Sequence, residues 1–205
     1  MKWGFLFLAW FFKRRFHKIV VNNDIAIKPG CSYLLMCNHF SYADGFFAYY
    51  LCFKWIAERA RLKGIYTMSL KKQMKRNWWL KYSGSFSVEP ANRSVHESLN
   101  YAAAVLSEPG NLLVFFPQGR LESCHIRHIE FKDGIREIIA ATKGNCQIIW
   151  SSNLIEYFES TKPSVYLNLL DCGTNHDFIF EALKVAVNAH HALSLKRMVR
   201  FTRDA

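Results

Sequence analysis

The chain has 205 residues, of which 51% are apolar and 16% aromatic, and it carries 27 Lys and Arg against 16 Asp and Glu. This length predicts one domain, and the apolar and aromatic content excludes a disordered chain and a coiled coil. The formal net charge of +11 is confined to residues 1–100, because residues 101–205 carry 11 charges of each sign. A basic, aromatic half predicts an anionic partner surface, either a membrane or a nucleic acid.

The first predicted element is a membrane-associating helix at residues 1–18. Its apolar part, Trp3 to Phe12, has ten residues, which is about half the length that a helix needs to cross a bilayer. The cations that follow are Lys13, Arg14, Arg15 and Lys18. Tryptophan beside a basic flank is typical of a helix at lipid headgroups, and a buried core helix is the alternative. We therefore expect a peripheral or monotopic protein on the cytoplasmic face of the cell membrane.

Residues 19–205 are predicted to form a single α/β domain, because short apolar runs alternate with segments of helical periodicity and no flexible linker divides them. The predicted strands are Ile19–Ile27, Ser32–Cys37, Ile65–Ser69, Ser85–Val88, Leu112–Phe116, Gln147–Leu154 and Val165–Leu170. The predicted helices are Tyr42–Arg61, Lys71–Lys81, Val95–Leu106, Gly134–Thr142 and Asp177–Arg200. This alternation predicts a central, mostly parallel or mixed sheet flanked by helices.

The cysteines predict neither a zinc ribbon nor a redox motif, because no two of the six have Cys-x-x-Cys spacing. We expect them to be small apolar residues of the core. Cys124, His125 and His128 lie close together in the sequence but lack a fourth ligand, so no metal site is predicted.

The residues with the clearest chemical potential follow the second predicted strand. His39 lies just past its carboxyl end, where open α/β sheets bind ligands, and histidine is suited to take a proton near neutral pH. Asp44 follows five residues later. On one helix the two side chains would point about 140° apart, so pairing requires His39 in a loop and Asp44 in the first helical turn, with Ser41 as N-cap. The alternative is that Ser41-x-x-Asp44 is only a capping box.

Four motifs carry a resemblance to a known family. Asn38-His39-Phe40-Ser41-Tyr42-Ala43-Asp44 resembles the N-H-x4-D signature of the glycerolipid acyltransferases, the family containing the lysophosphatidic acid acyltransferases. Gly84-Ser85-Phe86-Ser87-Val88 is similar to the family's G-x-x-F-V block, Phe116-Pro117-Gln118-Gly119 to its F-P-E-G-T-R block, and Phe131-Lys132-Asp133-Gly134 to the Lys-x-Gly block that follows. The four motifs occur in the family's order between residues 38 and 134.

The resemblance implies transfer of a fatty acyl group from acyl-CoA or acyl carrier protein to a hydroxyl of a lipid acceptor such as lysophosphatidic acid. It implies a role in phospholipid biosynthesis at a membrane surface, with no cofactor beyond the donor substrate and no nucleic acid partner. His39 would be the general base and Asp44 would orient it, with direct attack of the acceptor oxygen on the thioester. The implied substrate-binding residues are Asn38, Gly84, Arg93, Pro117, Gln118, Gly119, Arg120 and Lys132.

Two departures from the family pattern affect the acceptor site. Gln118 stands where the family has Glu, and Arg120-Leu121 stand where it has Thr-Arg, in a block associated with the acceptor's phosphate. Pro90 falls near the expected Arg of the second block, and Arg93 follows it. An acceptor without phosphate, such as an amino-acid lipid, a glycolipid or a pigment hydroxyl, therefore stays open. A thioesterase and a non-enzymatic basic protein that binds anionic lipid or RNA are further alternatives.

The segment Lys71–Lys81 interleaves five cations with Trp78 and Trp79. This pattern fits a membrane surface, a groove for a phosphate-bearing donor, or a nucleic acid. A solvated helix face is the plainer interpretation.

Overall fold

A computed structural model describes residues 14–22, 25–89, 92, 94–158 and 160–198. The strands are β1 Lys18–Asn22, β2 Ser32–Cys37, β3 Gly64–Leu70, β4 Ser85–Val88, β5 Asn111–Phe115, β6 Cys146–Glu156 and β7 Ser164–Thr174. The helices are α1 Asp44–Leu51, α2 Lys71–Arg76, α3 Val95–Leu106, α4 Gly134–Ala141 and α5 Phe180–Arg197. These elements confirm the predicted α/β class.

The seven strands form one mixed sheet in the order β1-β7-β6-β2-β5-β3-β4. Strands β6, β2, β5, β3 and β4 are mutually parallel, whereas β7 pairs antiparallel with β6 and parallel with β1. The carboxyl ends of β2, β5, β3 and β4 therefore meet at one edge of the sheet. In folds of this kind, ligands bind at that edge.

The centre of the sheet is covered on both faces, which explains why all six residues of β2 are buried. Its side chains alternate between two apolar cores. Tyr33 and Leu35 pack with α1, and Leu34 and Met36 pack with α3, α4 and α5. The result is a three-layer arrangement that holds the carboxyl end of β2 rigidly in place.

Four of the five predicted helices have other bounds, and one of them, predicted over Gly134–Thr142, differs only by ending at Ala141. The helix predicted over Tyr42–Arg61 starts at Asp44 and passes into a π-helical turn at Cys52–Ile56. The one predicted over Lys71–Lys81 stops at Arg76, and a 3₁₀ turn, Trp78–Ser83, follows. The last helix begins at Phe180, because β7 extends to Thr174 and a short 3₁₀ turn intervenes. Apolar periodicity signals the presence of a helix better than its ends.

The N-terminal segment that was predicted to be a membrane-associating helix is described only from residue 14. Residues 1–13, which include the apolar part of the predicted membrane helix, lie outside the described residues. Residues 14–17 form a turn and a bend, and Lys18 begins β1, so the helix predicted over 1–18 does not extend across residues 14–18. Among the described residues, no helix is both long and apolar enough to span a membrane.

Four of the six cysteines lie in the core, as predicted. Cys31, Cys37, Cys52 and Cys146 are buried, and they act as small residues of the core. Cys124 and Cys172 are only partly covered.

Candidate active site

The structure places His39 in the loop after β2 and Asp44 at the first position of α1. Oδ2 of Asp44 lies 2.8 Å from Nδ1 of His39. The Asp44 side chain is fully buried, whereas 19% of the His39 side chain is exposed. The geometric requirement stated from the sequence is therefore met: one residue lies in the loop, the other begins the helix, and the side chains converge.

The Asp44 carboxylate also fixes the loop around His39. Its Oδ2 accepts backbone N–H bonds from Phe40 at 2.6 Å and Ser41 at 2.8 Å, in addition to the contact with Nδ1 of His39. Its Oδ1 accepts the Ser41 hydroxyl at 3.2 Å. A buried carboxylate with this many donors holds its neighbours in one geometry.

Ser41 is not the N-cap, which corrects one expectation. The N-cap is Ala43, and the Ser41 hydroxyl oxygen accepts the Ala43 N–H at 3.0 Å. Asp44 is therefore the first residue of α1, not the third. Half of the capping box is nevertheless present, because the Asp44 carboxylate accepts the Ser41 N–H. The cap pattern and the His39 contact use the same carboxylate.

The His39 ring lies on the ring of Phe116, with centroids 4.4 Å apart and an angle of 27° between the planes. Phe116 directly follows β5, the strand paired with β2. Stacking on one face and the bond to Asp44 restrict the imidazole to one orientation. Within the described part of the chain, Nε2 of His39 has no hydrogen-bond partner, so this nitrogen is available to take a proton from a bound hydroxyl.

Gln118 contacts the backbone of His39. Its Oε1 accepts the His39 N–H at 2.7 Å, and its Nε2 donates to the carboxylate of Glu122. The Glu122 N–H in turn donates to the His39 carbonyl at 2.9 Å. Burial would raise the pKa of Glu122, but the hydrogen bonds from Gln118 and Arg120 and the Arg120 charge outweigh it and lower that pKa. Glu122 was not predicted from the sequence, because it lies outside the motifs.

Arg120 is less available to an anionic ligand than the sequence suggested. Its guanidinium lies 2.8 Å from Glu122 and 3.4 Å from Glu130. Although 61% of the side chain is exposed, two carboxylates already balance its charge. An anionic ligand would therefore compete with these two carboxylates for the Arg120 guanidinium.

Lys132 lies beside the loop that follows β5. Its N–H donates to the Pro117 carbonyl at 2.9 Å. A Cβ added to Gly119 would lie 3.4 Å from Cγ of Lys132, so the Lys132 side chain runs along the backbone of Gly119, where φ is +65°. The Lys132 side chain is exposed, and no carboxylate of the described residues pairs with it. Pro117, Gly119 and Lys132 thus form one wall next to His39 and Gln118.

Asn38 is buried and holds two strands together. Its Nδ2 donates to the Asn153 carbonyl at 3.0 Å, and its Oδ1 accepts the Asn153 N–H at 2.7 Å. These contacts favour a structural role for Asn38, holding the loop, over the substrate contact that the resemblance implied. Burial and the Asp44 charge raise the pKa of the neighbouring Cys37 thiol, which therefore stays protonated.

The structure does not bring Gly84 to this site. Across β3 and β5, the residue after Gly84 is level with Leu35 of β2, so Gly84 lies three strands from His39 and roughly 16 Å further down the strand axis. Its φ is +77°, and an added Cβ would lie 2.2 Å from the Ile65 carbonyl oxygen. We therefore assign Gly84 a conformational role in place of the implied substrate contact. Arg93 and Pro90 lie outside the described residues.

Sequence reasoning missed three residues of this site: Phe116 as the stacking partner, Glu122 and Asn153. Phe116 stood inside a quoted motif, but no sequence signal assigned a role to its ring. Glu122 and Asn153 meet the loop only through tertiary contacts. Among the described residues, no three His, Cys, Asp or Glu side chains are grouped so as to hold a metal ion.

A histidine held by a buried carboxylate lies at the carboxyl ends of parallel strands, an arrangement suited to proton transfer. The acyltransferase family model matches residues 18–150, which includes most of the sheet and every residue of this site described above except Asn153. The chain therefore belongs to the acyltransferase family, and the protein is an acyltransferase.

Among solved structures, the chain is similar to the 1-acyl-sn-glycerophosphate (LPA) acyltransferase PlsC from Thermotoga maritima. The TM-score is 0.61 at 17% sequence identity, over 98% of this chain and 82% of that chain. At this identity the similarity concerns the fold, a central sheet flanked by helices. A comparison with curated proteins gave no match.

Proposed function

We propose that this acyltransferase moves a fatty acyl group from an acyl thioester, either acyl-CoA or acyl carrier protein, to a hydroxyl of a lipid acceptor, with His39 as general base. The observation that carries the proposal is the 2.8 Å contact between Nδ1 of His39 and the fully buried carboxylate of Asp44. We further propose that the sheet and its helices form one acyltransferase domain.

The proposed mechanism is based on the orientation of the His39 imidazole, whose Nδ1 faces Asp44. Nε2 of His39 takes the proton of the acceptor hydroxyl while Nδ1–H donates to Asp44, whose charge stabilises the imidazolium. The oxygen attacks the thioester carbonyl, and the C–S bond breaks. The released thiolate recovers the proton from Nε2, so the base returns to its starting state without an acyl-enzyme.

Purified protein incubated with labelled acyl-CoA or acyl carrier protein and a panel of acceptors tests this function. We expect acylated product from the wild type and a loss of at least ~10²-fold in His39→Ala, the usual contribution of a general base. His96→Ala is the matched control, because His96 also lies 2.8 Å from a carboxylate, that of Glu137, but on an exposed surface. Unchanged turnover in folded His39→Ala contradicts the proposal, and free fatty acid alone indicates a thioesterase.

For the acceptor, we propose lysophosphatidic acid, with Lys132 as the phosphate-binding cation in place of Arg120. Lys132 is exposed beside the Gly119 loop, whereas Arg120 is paired with Glu122 and Glu130. Lys132→Ala should raise the KM for lysophosphatidic acid at least about tenfold and leave a neutral acceptor such as monoacylglycerol unaffected. An unchanged KM contradicts this role. The paired state of Arg120 also favours the second candidate, a phosphate-free acceptor, which the same panel detects.

We also propose that the protein binds an anionic membrane through the basic aromatic segment, residues 71–82. The exposed cations of this segment are Lys72, Lys75, Arg76 and Lys81. Its aromatic residues Trp78 and Tyr82 are 69% and 73% exposed. The segment begins at the carboxyl end of β3, at the edge of the sheet that carries His39. Cations beside aromatic rings favour a headgroup surface over a nucleic acid, and residues 1–18 are the second proposed membrane contact.

Sedimentation with vesicles tests this surface. Lys72→Gln with Lys75→Gln should weaken binding to phosphatidylglycerol-containing vesicles in low salt more than Lys143→Gln with Lys162→Gln, which removes the same charge from other exposed positions. Equal losses in the two double variants contradict the proposed surface. Deletion of residues 1–15 should release the protein from membranes, and retention in the pellet contradicts an N-terminal contact.

A further inference from the structure

Both polar groups of the His39 backbone are bound by one pair of residues. The His39 N–H donates to Oε1 of Gln118 at 2.7 Å, and the His39 carbonyl accepts the Glu122 N–H at 2.9 Å. Nε2 of Gln118 donates to the Glu122 carboxylate. These three hydrogen bonds form a closed ring between the loop after β2 and the loop after β5. The ring lies on the backbone of His39, so that Nδ1 contacts Asp44 and Nε2 has no hydrogen-bond partner among the residues that the structure describes.

The ring needs an amide at position 118 or at position 122. Gln118 accepts a hydrogen bond from the His39 N–H and donates one to the Glu122 carboxylate, and an amide does both whereas an ionised carboxylate only accepts. A carboxylate at position 118 would still accept the His39 N–H, but it would then face the carboxylate of Glu122 without a proton between them. Burial makes such a contact costly, because only 3% of Gln118 and 14% of the Glu122 side chain are exposed.

The reverse arrangement satisfies the same bonds. With Glu at 118 and Gln at 122, the carboxylate accepts from His39 and also from the amide at 122, while the backbone N–H of residue 122 still donates to His39. The charged neighbours are unaltered, since Arg120 remains near position 122 and Glu130 near Arg120. Glu at position 118 therefore keeps the ring only when Gln replaces Glu122.

We infer that Gln118 and Glu122 are positioning residues for His39: as an amide–carboxylate pair they fix its backbone, and thereby direct Nδ1 at Asp44. The inference rests on the proposed function in that His39 is taken as the base. Neither residue touches the reacting atoms. Their effect is expected on turnover and not on the binding of either substrate.

Four forms of the protein test the inference kinetically: the wild type, Gln118→Glu, Glu122→Gln, and the double exchange. We expect Gln118→Glu to lower kcat at least ~10-fold with both KM values within about twofold, because a displaced base loses rate and not affinity. Glu122→Gln keeps a donor and an acceptor at both positions, so its kcat should stay within about threefold of the wild-type value. The double exchange should restore kcat to within about threefold. A double exchange as slow as Gln118→Glu overturns the inference, as does unaltered kcat in folded Gln118→Glu.

A second readout needs no substrate. In ¹⁵N spectra of the imidazole nitrogens, with His39 assigned by its loss in His39→Gln, the wild type should show neutral His39 protonated at Nδ1, the nitrogen that faces Asp44. Gln118→Glu should mix the two tautomers, and the double exchange should return the Nδ1–H form. A tautomer unaffected by Gln118→Glu overturns the positioning role. If the wild type transfers no acyl group, the proposed function fails, whereas these spectra still decide the positioning role.

Discussion

The carboxylate of Asp44 lies 2.8 Å from the imidazole of His39, yet no part of the Asp44 side chain reaches solvent. One oxygen, Oδ2, serves His39 and two backbone N–H groups together. The same atom therefore organises the loop and orients the base. A change at Asp44 affects both unless it preserves the acceptor.

Asp44→Asn separates charge from geometry. Oδ1 of the amide replaces Oδ2 and keeps the three acceptor contacts, and the amide nitrogen faces the Ser41 hydroxyl, which accepts as readily as it donates. We expect a folded protein in which kcat falls at least ~10²-fold, because the imidazolium loses its counter-charge. Steady-state kinetics and circular dichroism check this. A kcat within threefold of wild type would show that the carboxylate only shapes the loop.

Phe116 is expected to hold the imidazole by stacking. Phe116→Ala removes the ring that lies 4.4 Å from that of His39, so kcat should fall about tenfold as the imidazole gains alternative orientations. Phe116→Tyr keeps the ring and should retain most of the activity. Equal activity in the Ala and Tyr variants would contradict a role for the stack.

Asn38→Ala should destabilise the fold by about 1–3 kcal/mol, because it leaves the N–H and the carbonyl of Asn153 buried without their partners. Denaturant unfolding measures the free-energy change. If Asn38 instead supplied an oxyanion donor, Asn38→Ala would lose kcat at unaltered stability. That result would reject the clamp between β2 and β6.

Gly84→Ala should reduce stability without changing the kcat of the folded fraction. An alanine there has φ of +77° and a Cβ 2.2 Å from the Ile65 carbonyl. Gly45→Ala is the matched control, because no atom lies within 4 Å of its added Cβ and the residue is helical, so it should stabilise by up to ~1 kcal/mol. A specific loss of kcat in Gly84→Ala, with stability unaltered, would restore the substrate contact that the motif implied.

Because His191 is buried, we expect the stability of the folded protein to depend on pH. His191 is buried between Ser152 and the Ile126 carbonyl, and burial lowers its pKa, as does the adjacent His190. As the pH falls through about 6.5, the unfolded chain therefore binds a proton at His191, whereas the folded protein does not. The contribution of His191 to stability is present above that pH and is lost as the pH falls below it.

Urea unfolding between pH 5 and 8 checks this sign. The wild type should lose stability below pH 6.5, and His191→Gln should show a shallower slope, since it removes the titrating group. His176→Gln, an exposed position, is the control. Identical slopes for wild type and His191→Gln would contradict the assignment.

The sequence by itself determined the α/β class and the order of its elements. Those features depend on local signals, namely apolar runs of strand length and helical periodicity. The five-residue spacing set only the condition under which His39 and Asp44 could pair, and the resemblance to the acyltransferases favoured that pairing over a capping box alone. β2, β4 and α3 have the bounds predicted from the local signals. Helix ends were predicted less accurately, because turn chemistry and packing decide where a helix stops. The helix predicted over Lys71–Lys81, for example, ends at Arg76, just before Asn77.

Only the tertiary structure decided which distant residues surround His39. Phe116, Gln118 and Glu122 reach it because β5 pairs beside β2, and Asn153 reaches Asn38 because β6 pairs on the other side. The family motif implied that Gly84 belongs to this group, whereas the register of β4, β3, β5 and β2 places Gly84 far from His39. Strand order brings together residues that are far apart in the chain, and no spacing along the sequence encodes that order.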